Sequence, residues 1–241
     1  MTQPDPLSYL QTLLSRDFES ERYAHSRKPH VEAEPLIITL SRDYGALGED
    51  VARLLSQCLG IPLYDREILE KVAQRAKTDK FFFETHDEQV AAGLSSFLYS
   101  LISGSTATLA DYRRNLFNVV LDLAHKDCLL VGRGAHLILT GKKVFRVRIV
   151  GSKRVCAQRI AEASKMSILE AEHKVFEINN KRHQSVLNLY SENFEHCSLE
   201  LAKNFDLVIN TDHISAEGAM PVILLAMQQA GFDLSRSKKA S

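Results

Sequence analysis

The chain has 241 residues, 45% hydrophobic and 25% charged, ordinary proportions for a globular protein and enough for one large domain or a core with an insert. Thirty Lys and Arg balance thirty Asp and Glu, so no overall field draws the chain to nucleic acid or anionic lipid, and no apolar run approaches a membrane span. The start, MTQPDPLSYL, lacks a signal-peptide pattern, the four cysteines form no CxxC and the nine histidines no HExxH; a cytoplasmic protein without a zinc or disulfide framework is expected.

Residues 1–34 read as an N-terminal arm: Leu7, Leu10, Leu14 and Phe18 share one face of a short amphipathic helix, followed by a charged connector. Either a loosely packed arm or a homodimer contact fits that pattern. The core opens with a strand at Leu36, carrying Ile37, Ile38 and Leu40, and gives way to a loop holding Gly45 and Gly48. A helix follows from Glu49, with Val51, Leu54, Leu55, Cys58 and Leu59 on one apolar face and Gly60 and Pro62 as its stop. On that spacing Cys58 is a small core residue, as is Cys156 on a later helix. Ile61 to Tyr64 is a short extended segment, and REILEKVAQRAK a second amphipathic helix with Ile68, Leu69, Val72, Ala73 and Ala76 on one face.

Residues 78–126 read as an insert, with FFFETHDEQ, a Ser/Thr/Gly loop from Ser103 to Thr108, and a helix over about 111–126. A buried-type strand, Cys128 to Gly132, ends in Gly132-Arg133-Gly134, and the strand Val144 to Val150 leads into a helix from Ser152 to about Ser164. Ser167 and Glu170 form a capping box for a long helix through Lys181, Arg182 and His183, within a lid region of about 165–200. The last strand spans Phe205 to Ile209 and the last helix Ser215 to Ala230; Gly231 stops it, and residues 232–241 form a polar tail. Strands alternating with helices predict an α/β fold, a three-layer core around a parallel sheet with right-handed crossovers.

Ligands of parallel α/β sheets bind beyond the carboxyl ends of the strands. Arg42, Asp43, Asp65, Arg66, Arg133, Asn210, Thr211 and Asp212 all fall there. Strand, glycine loop and helix is also the layout that holds phosphate on backbone N–H groups at a helix N-terminus. The Lys of the GxxxxGK[ST] pattern is missing, however: Glu49 follows Gly48. Glu49 and Asp50 suit the helix dipole yet oppose a polyphosphate, since a carboxylate 5 Å from a phosphate charge costs about 3 kcal/mol at an effective dielectric near 20. The alternatives are that Glu49 simply faces solvent or that it holds Mg²⁺.

Four segments in order, ITLSRDYGALGEDVARLLSQCLGIPLYDRE, LLVGRGAHLIL, VFRVRIVGSKRVCAQRI and FDLVINTDHIS, make the chain resemble the cytidylate kinase-like family of nucleoside monophosphate kinase relatives, from about Leu36 to Met227. The resemblance implies a P-loop kinase-like core with a helical insert and a lid, and transfer of the ATP γ-phosphoryl to CMP or dCMP with Mg²⁺. Carried over by motif, Tyr44, Gly45, Ala46, Leu47, Gly48, Glu49 and Asp50 form the phosphate loop. Asp65, Lys71, Arg133 and Arg182 would serve the monophosphate, and Arg159 matches an Arg on the helix leading to the lid.

The departures bear on activity. Leu47 stands at a family Gly, Gly134 at the Asp after Gly-Arg, and Asn179 at the lid Asp. Three functions follow from the resemblance: a phosphotransferase in which Arg42 replaces the lost Lys while Arg133, Arg159 and Arg182 clamp the transferring group, a catalytically silent nucleotide-binding relative with a regulatory or subunit role, or a kinase for another small acceptor. Arg42 alternatively pairs with Asp43 or Asp65 as a structural strut.

Overall fold

The structure, a computed structural model, describes residues 34–75, 109–192 and 194–235. The chain divides into Met1–Glu34 and Pro35–Ser241, and the description below concerns the second unit. The amphipathic arm, the 78–108 part of the insert, the end of the second helix and most of the polar tail lie outside the described residues.

Five strands form one parallel sheet, in the order β2-β3-β1-β4-β5. They are β1 (Ile37–Arg42), β2 (Leu63–Tyr64), β3 (Cys128–Val131), β4 (Phe145–Val150) and β5 (Leu207–Asn210). The first strand is therefore central, with β3 on one side and β4 on the other. It runs two residues past the apolar segment, so Arg42 is its last residue, not the first of the loop.

The helices are α1 (Gly48–Leu59), α2 (Arg66–Arg75), α3 (Leu109–Leu123), α4 (Ala135–Ile138), α5 (Lys153–Ser164), α6 (Ile168–Tyr190) and α7 (Ala216–Gln229). Helix α4 is too short for a periodic signal and was not expected. Alternation along the strands gives the sheet two buried faces. Ile38, Leu40, Leu129, Val147 and Ile149 pack with α1 and α7 through Val51, Leu55, Leu59, Ile223 and Met227. Ile37, Cys128 and Leu130 pack on the other side with Ile68 and Val72 of α2, Leu116 and Val120 of α3, and Leu189 and Tyr190 of α6. Sheet and flanking helices make the three layers.

The caps fall where the sequence set them. Gly60 ends α1 at φ 64°, Ser152 caps α5, and Ser167 with Glu170 forms the capping box of α6. Cys58 is a correction: it lies on the exposed flank of α1, one position off the buried row Val51, Leu55, Leu59. Cys156 is buried as expected.

Helix α6 has 23 residues and serves both cores. Ala171 and Val175 join the α1 side while Val186, Leu189 and Tyr190 join the α3 side. Between those ends it passes the carboxyl edge of the sheet at β1, and that crossing positions the site.

Gly45 permits a close approach between the loop after β1 and α5. It sits at φ 83°, and an added Cβ would lie 2.8 Å from the Cys156 carbonyl oxygen. Gly45→Ala is expected to cost about 2–3 kcal/mol, lowering the melting temperature by several degrees. Gly141→Ala, with nothing within 4 Å of its Cβ, should stay within about 0.5 kcal/mol of the wild type. Thermal unfolding of the two variants checks the contrast.

Candidate functional site

From Asp43 to Leu47 the chain turns back over the sheet edge, and α1 starts at Gly48. The turn is anchored by Asp43 N–H donating to the Ile149 carbonyl at 3.0 Å. Gly48 is required because a Cβ there would overlap Cβ of Arg42. Leu47 holds φ 61°, a left-handed conformation that costs a branched side chain about 1–2 kcal/mol. As the N-cap of α1 it offers no side-chain acceptor. The Glu49 carboxylate instead turns back on its own N–H, at the point where the helix presents unpaired donors.

Arg42 lies across this turn. Its Nε donates to Glu49 Oε1 at 2.9 Å and its Nη2 to Asp65 Oδ2 at 2.9 Å. Nη1 points to β3, where a Cβ on Gly132 would come within 2.9 Å of it. Arg182 of α6 donates to the Arg42 carbonyl at 3.0 Å and comes within 3.5 Å of Glu49 Oε1. Two guanidinium groups and two carboxylates thus balance. Burial would raise the Glu49 pKa, but Arg42 and Arg182 outweigh it and hold the carboxyl below its ordinary value. Burial, aided by Arg42, pulls the Arg182 guanidinium down to about 10, still charged at neutral pH.

Helix α6 touches the loop a second time through Asn179, whose Oδ1 accepts from Tyr44 N–H at 2.8 Å. The Arg182 guanidinium lies 5.9 Å from the centre of the Tyr44 ring. The Asn179 amide thus supplies the acceptor that this contact needs without adding a charge. At the end of β3, Gly132, Arg133 and Gly134 all have positive φ, of 74°, 56° and 65°. The Arg133 guanidinium makes no hydrogen bond or ion pair among the described residues, in contrast to Arg42 and Arg182.

Arg159 of α5 is committed to the loop's underside. Its Nη1 donates to the Gly45 carbonyl and Thr211 Oγ1, each at 3.3 Å, and Nη2 to the Thr211 carbonyl at 2.5 Å. Thr211, fully buried, also donates to the Ala46 carbonyl at 2.9 Å, so the end of β5 supports the loop. Asp50 pairs with Arg53 on the outside of α1, away from this network. Lys71 is exposed on α2 and has no ion pair among the described residues. The structure thus brings Arg42, Glu49, Asp65, Arg182 and the turn at Gly132 together, and leaves Asp50 and Lys71 apart.

Two further residues were not singled out from the sequence. Arg148, in β4, is 7% exposed and its Nη2 donates to Asp43 Oδ1 at 2.5 Å, so the first loop residue is tied to the sheet. The signal was available, because an Arg in the apolar strand VFRVRIV demands a buried anion. His136 of α4 is 2% exposed and stacks on Phe205 at 4.8 Å. Burial, with Arg146 and Arg148 beside it, lowers its pKa to about 3.

Among the described residues a divalent cation finds no ready protein site. Among the described residues no three His, Cys, Asp or Glu side chains cluster to hold one. Asp43, Glu49 and Asp65 are each already paired with an arginine. Among the described residues no helix is long and apolar enough to cross a membrane.

Residues 37–213 match the profile of the cytidylate kinase-like family. No protein of curated function matches the sequence. Among solved structures, an uncharacterized protein from Eubacterium ventriosum superposes at a TM-score of 0.59 with 19% identity, covering 80% of this chain and 98% of that one. A shikimate kinase from Acinetobacter baumannii follows at 0.47 and 16% identity, covering 83% and 97%. A gluconokinase from Sinorhizobium meliloti gives 0.42 and 11%, covering 83% and 95%. The first likeness shows the fold; the other two are too distant to carry an argument about chemistry.

The depressed His136 pKa has a direct consequence for stability. Above pH 6.5 the ring is neutral in folded and unfolded chains alike, and its contribution is fully present. As pH falls from 6.5 toward about 3, the unfolded chain takes up a proton that the folded one refuses, and stability is lost. At pH 5 the loss from this group is about 2 kcal/mol. Melting temperatures of wild type and His136→Phe at pH 7 and pH 5 check this: the variant should show the smaller acid-induced drop, and parallel drops would contradict a neutral buried ring.

Proposed function

This chain belongs to the cytidylate kinase-like family, and from that premise we propose that it transfers the γ-phosphoryl group of ATP to CMP, dCMP or a related small acceptor. The observation that carries this reading is the seating of α6 on the loop after β1. Through Asn179 and Arg182 it brings a lid-helix cation to the carboxyl end of β1, beside Arg42 and next to β3, the strand that leads into the turn bearing Arg133. Phosphoryl transfer asks mainly for positioning and charge neutralisation, and in this reading Arg42 and Arg182 at the loop, with Arg133 after the neighbouring strand, would supply both.

In this reading Arg42 stands in for the absent Lys and Arg182 joins it on the transferring group. Arg133 takes the acceptor phosphate, and Asp65 holds Arg42 in orientation. Arg159 acts from beneath by fixing the Gly45 carbonyl and Thr211. The Glu49 carboxylate has to turn away when a polyphosphate takes over its two arginines. Mg²⁺ enters as part of the ATP complex, that is as substrate.

A second reading, a nucleotide-binding relative without turnover, is favoured by one observation. Arg42 is paired with Glu49 and Asp65 in an arrangement that serves equally well as a strut. Calorimetric titration with ATP–Mg²⁺, CMP and dCMP, joined to an assay for nucleoside diphosphate, separates the two.

Arg42→Ala should weaken ATP binding by about 10- to 150-fold, the loss of a charge-assisted phosphate contact of about 1.5–3 kcal/mol. Glu49→Gln removes the competing anion and should tighten ATP binding about fivefold, a modest gain because that carboxylate is half exposed to solvent. If Arg42→Ala only lowers the melting temperature while ATP affinity holds, Arg42 is a strut and the proposal fails.

A further inference from the structure

We infer that Tyr190 is a positioning residue for Arg133, holding the left-handed turn at the end of β3 so that this arginine is presented to the acceptor; the inference rests on the phosphotransferase reading of the same site. A left-handed conformation at a residue with a long side chain persists only where its surroundings over-determine it. Arg133, at φ 56° between two glycines of positive φ, is such a residue.

Tyr190 supplies the determination twice. Its hydroxyl donates to the Arg133 carbonyl at 2.5 Å. Its ring fills the place of a side chain at Gly134, where an added Cβ would overlap Cε2. With Tyr190 in this place, residue 134 has no room for a side chain. Tyr190 is itself fully buried, with Phe117 at 5.9 Å and Phe194 at 6.1 Å between ring centres. Burial raises its phenol well above the ordinary value, so the hydroxyl is a permanent donor.

The tyrosine ends the same helix that carries Asn179 and Arg182 to the phosphate loop. Eight residues, about 12 Å of helix, separate Arg182 from Tyr190. One rigid element thus sets the cation over the phosphate loop and the turn that bears the acceptor arginine. Movement of α6 off the loop would release both together.

Tyr190→Phe keeps the ring and removes only the hydroxyl. Backbone amide exchange over Gly132 to Ala135 in the ligand-free protein should quicken about fivefold, and calorimetric Kd for CMP should rise about 3- to 10-fold with ATP affinity little changed. In an Arg133→Ala background the same Tyr190→Phe change should leave the CMP Kd where Arg133→Ala alone puts it. The inference is overturned if exchange at the turn is unaltered, or if Tyr190→Phe weakens CMP equally with and without Arg133. Should the wild-type protein bind no CMP, the proposed acceptor is wrong, and the amide exchange alone decides the role of Tyr190.

Discussion

The arrangement at the end of β1 depends on Arg42. The central strand delivers it, Gly48 gives its stem room against α1, and Glu49 and Asp65 take two edges of its guanidinium. Its carbonyl meanwhile receives Arg182 from a helix 140 residues further along the chain. A side chain only 12% exposed with two ionic partners is costly to desolvate and costly to break, because removing either partner strands charge in a poorly solvated place. The loop, the strand end after β2 and α6 are therefore fixed with respect to one another by a single residue.

Around that knot the protein uses charge in balanced sets. Asp43 and Arg148 repeat the pattern one strand over, with β4 anchoring the first residue of the turn. Arg159 and Thr211 tie the turn to α5 and β5 through neutral carbonyls. Strand β4, the end of β5 and helices α5 and α6 thus contribute to a loop of few residues, and this support is what lets Leu47 keep a left-handed backbone without a glycine. Arg133, at the neighbouring strand end, has a guanidinium without a hydrogen bond or ion pair among the described residues.

Much of the architecture was legible because it is written in local patterns. The alternation of strands and helices, the glycine turn before α1, the Ser167–Glu170 box and the Gly60 stop all come from short-range rules of burial, φ and capping. The site was legible as a set of residues but not as a set of partners. Whether Arg42 met Asp43, Asp65 or Glu49 depends on how β2 and α1 sit around β1, and no periodicity encodes that. Arg148 was missed although an arginine inside an apolar strand requires a buried counter-charge. Tyr190 was missed because a tyrosine at the end of an amphipathic helix looks like any core aromatic. Its meaning comes only from Gly134, 56 residues earlier, whose missing side chain it replaces. Cys58 was misplaced by one position of helical phase, the difference between the edge of an apolar face and its centre.

The central claim is that the Tyr44–Asp50 turn, closed by α6, is where a nucleotide's phosphates bind. The most direct measurement is residue-resolved amide exchange with and without ATP–Mg²⁺. The account predicts slower exchange at Tyr44, at the Gly45–Glu49 amides and across Asn179 to Arg182, with the rest of the sheet unchanged. Unaltered exchange at those amides under saturating ATP–Mg²⁺, or protection confined to another face of the molecule, would contradict it.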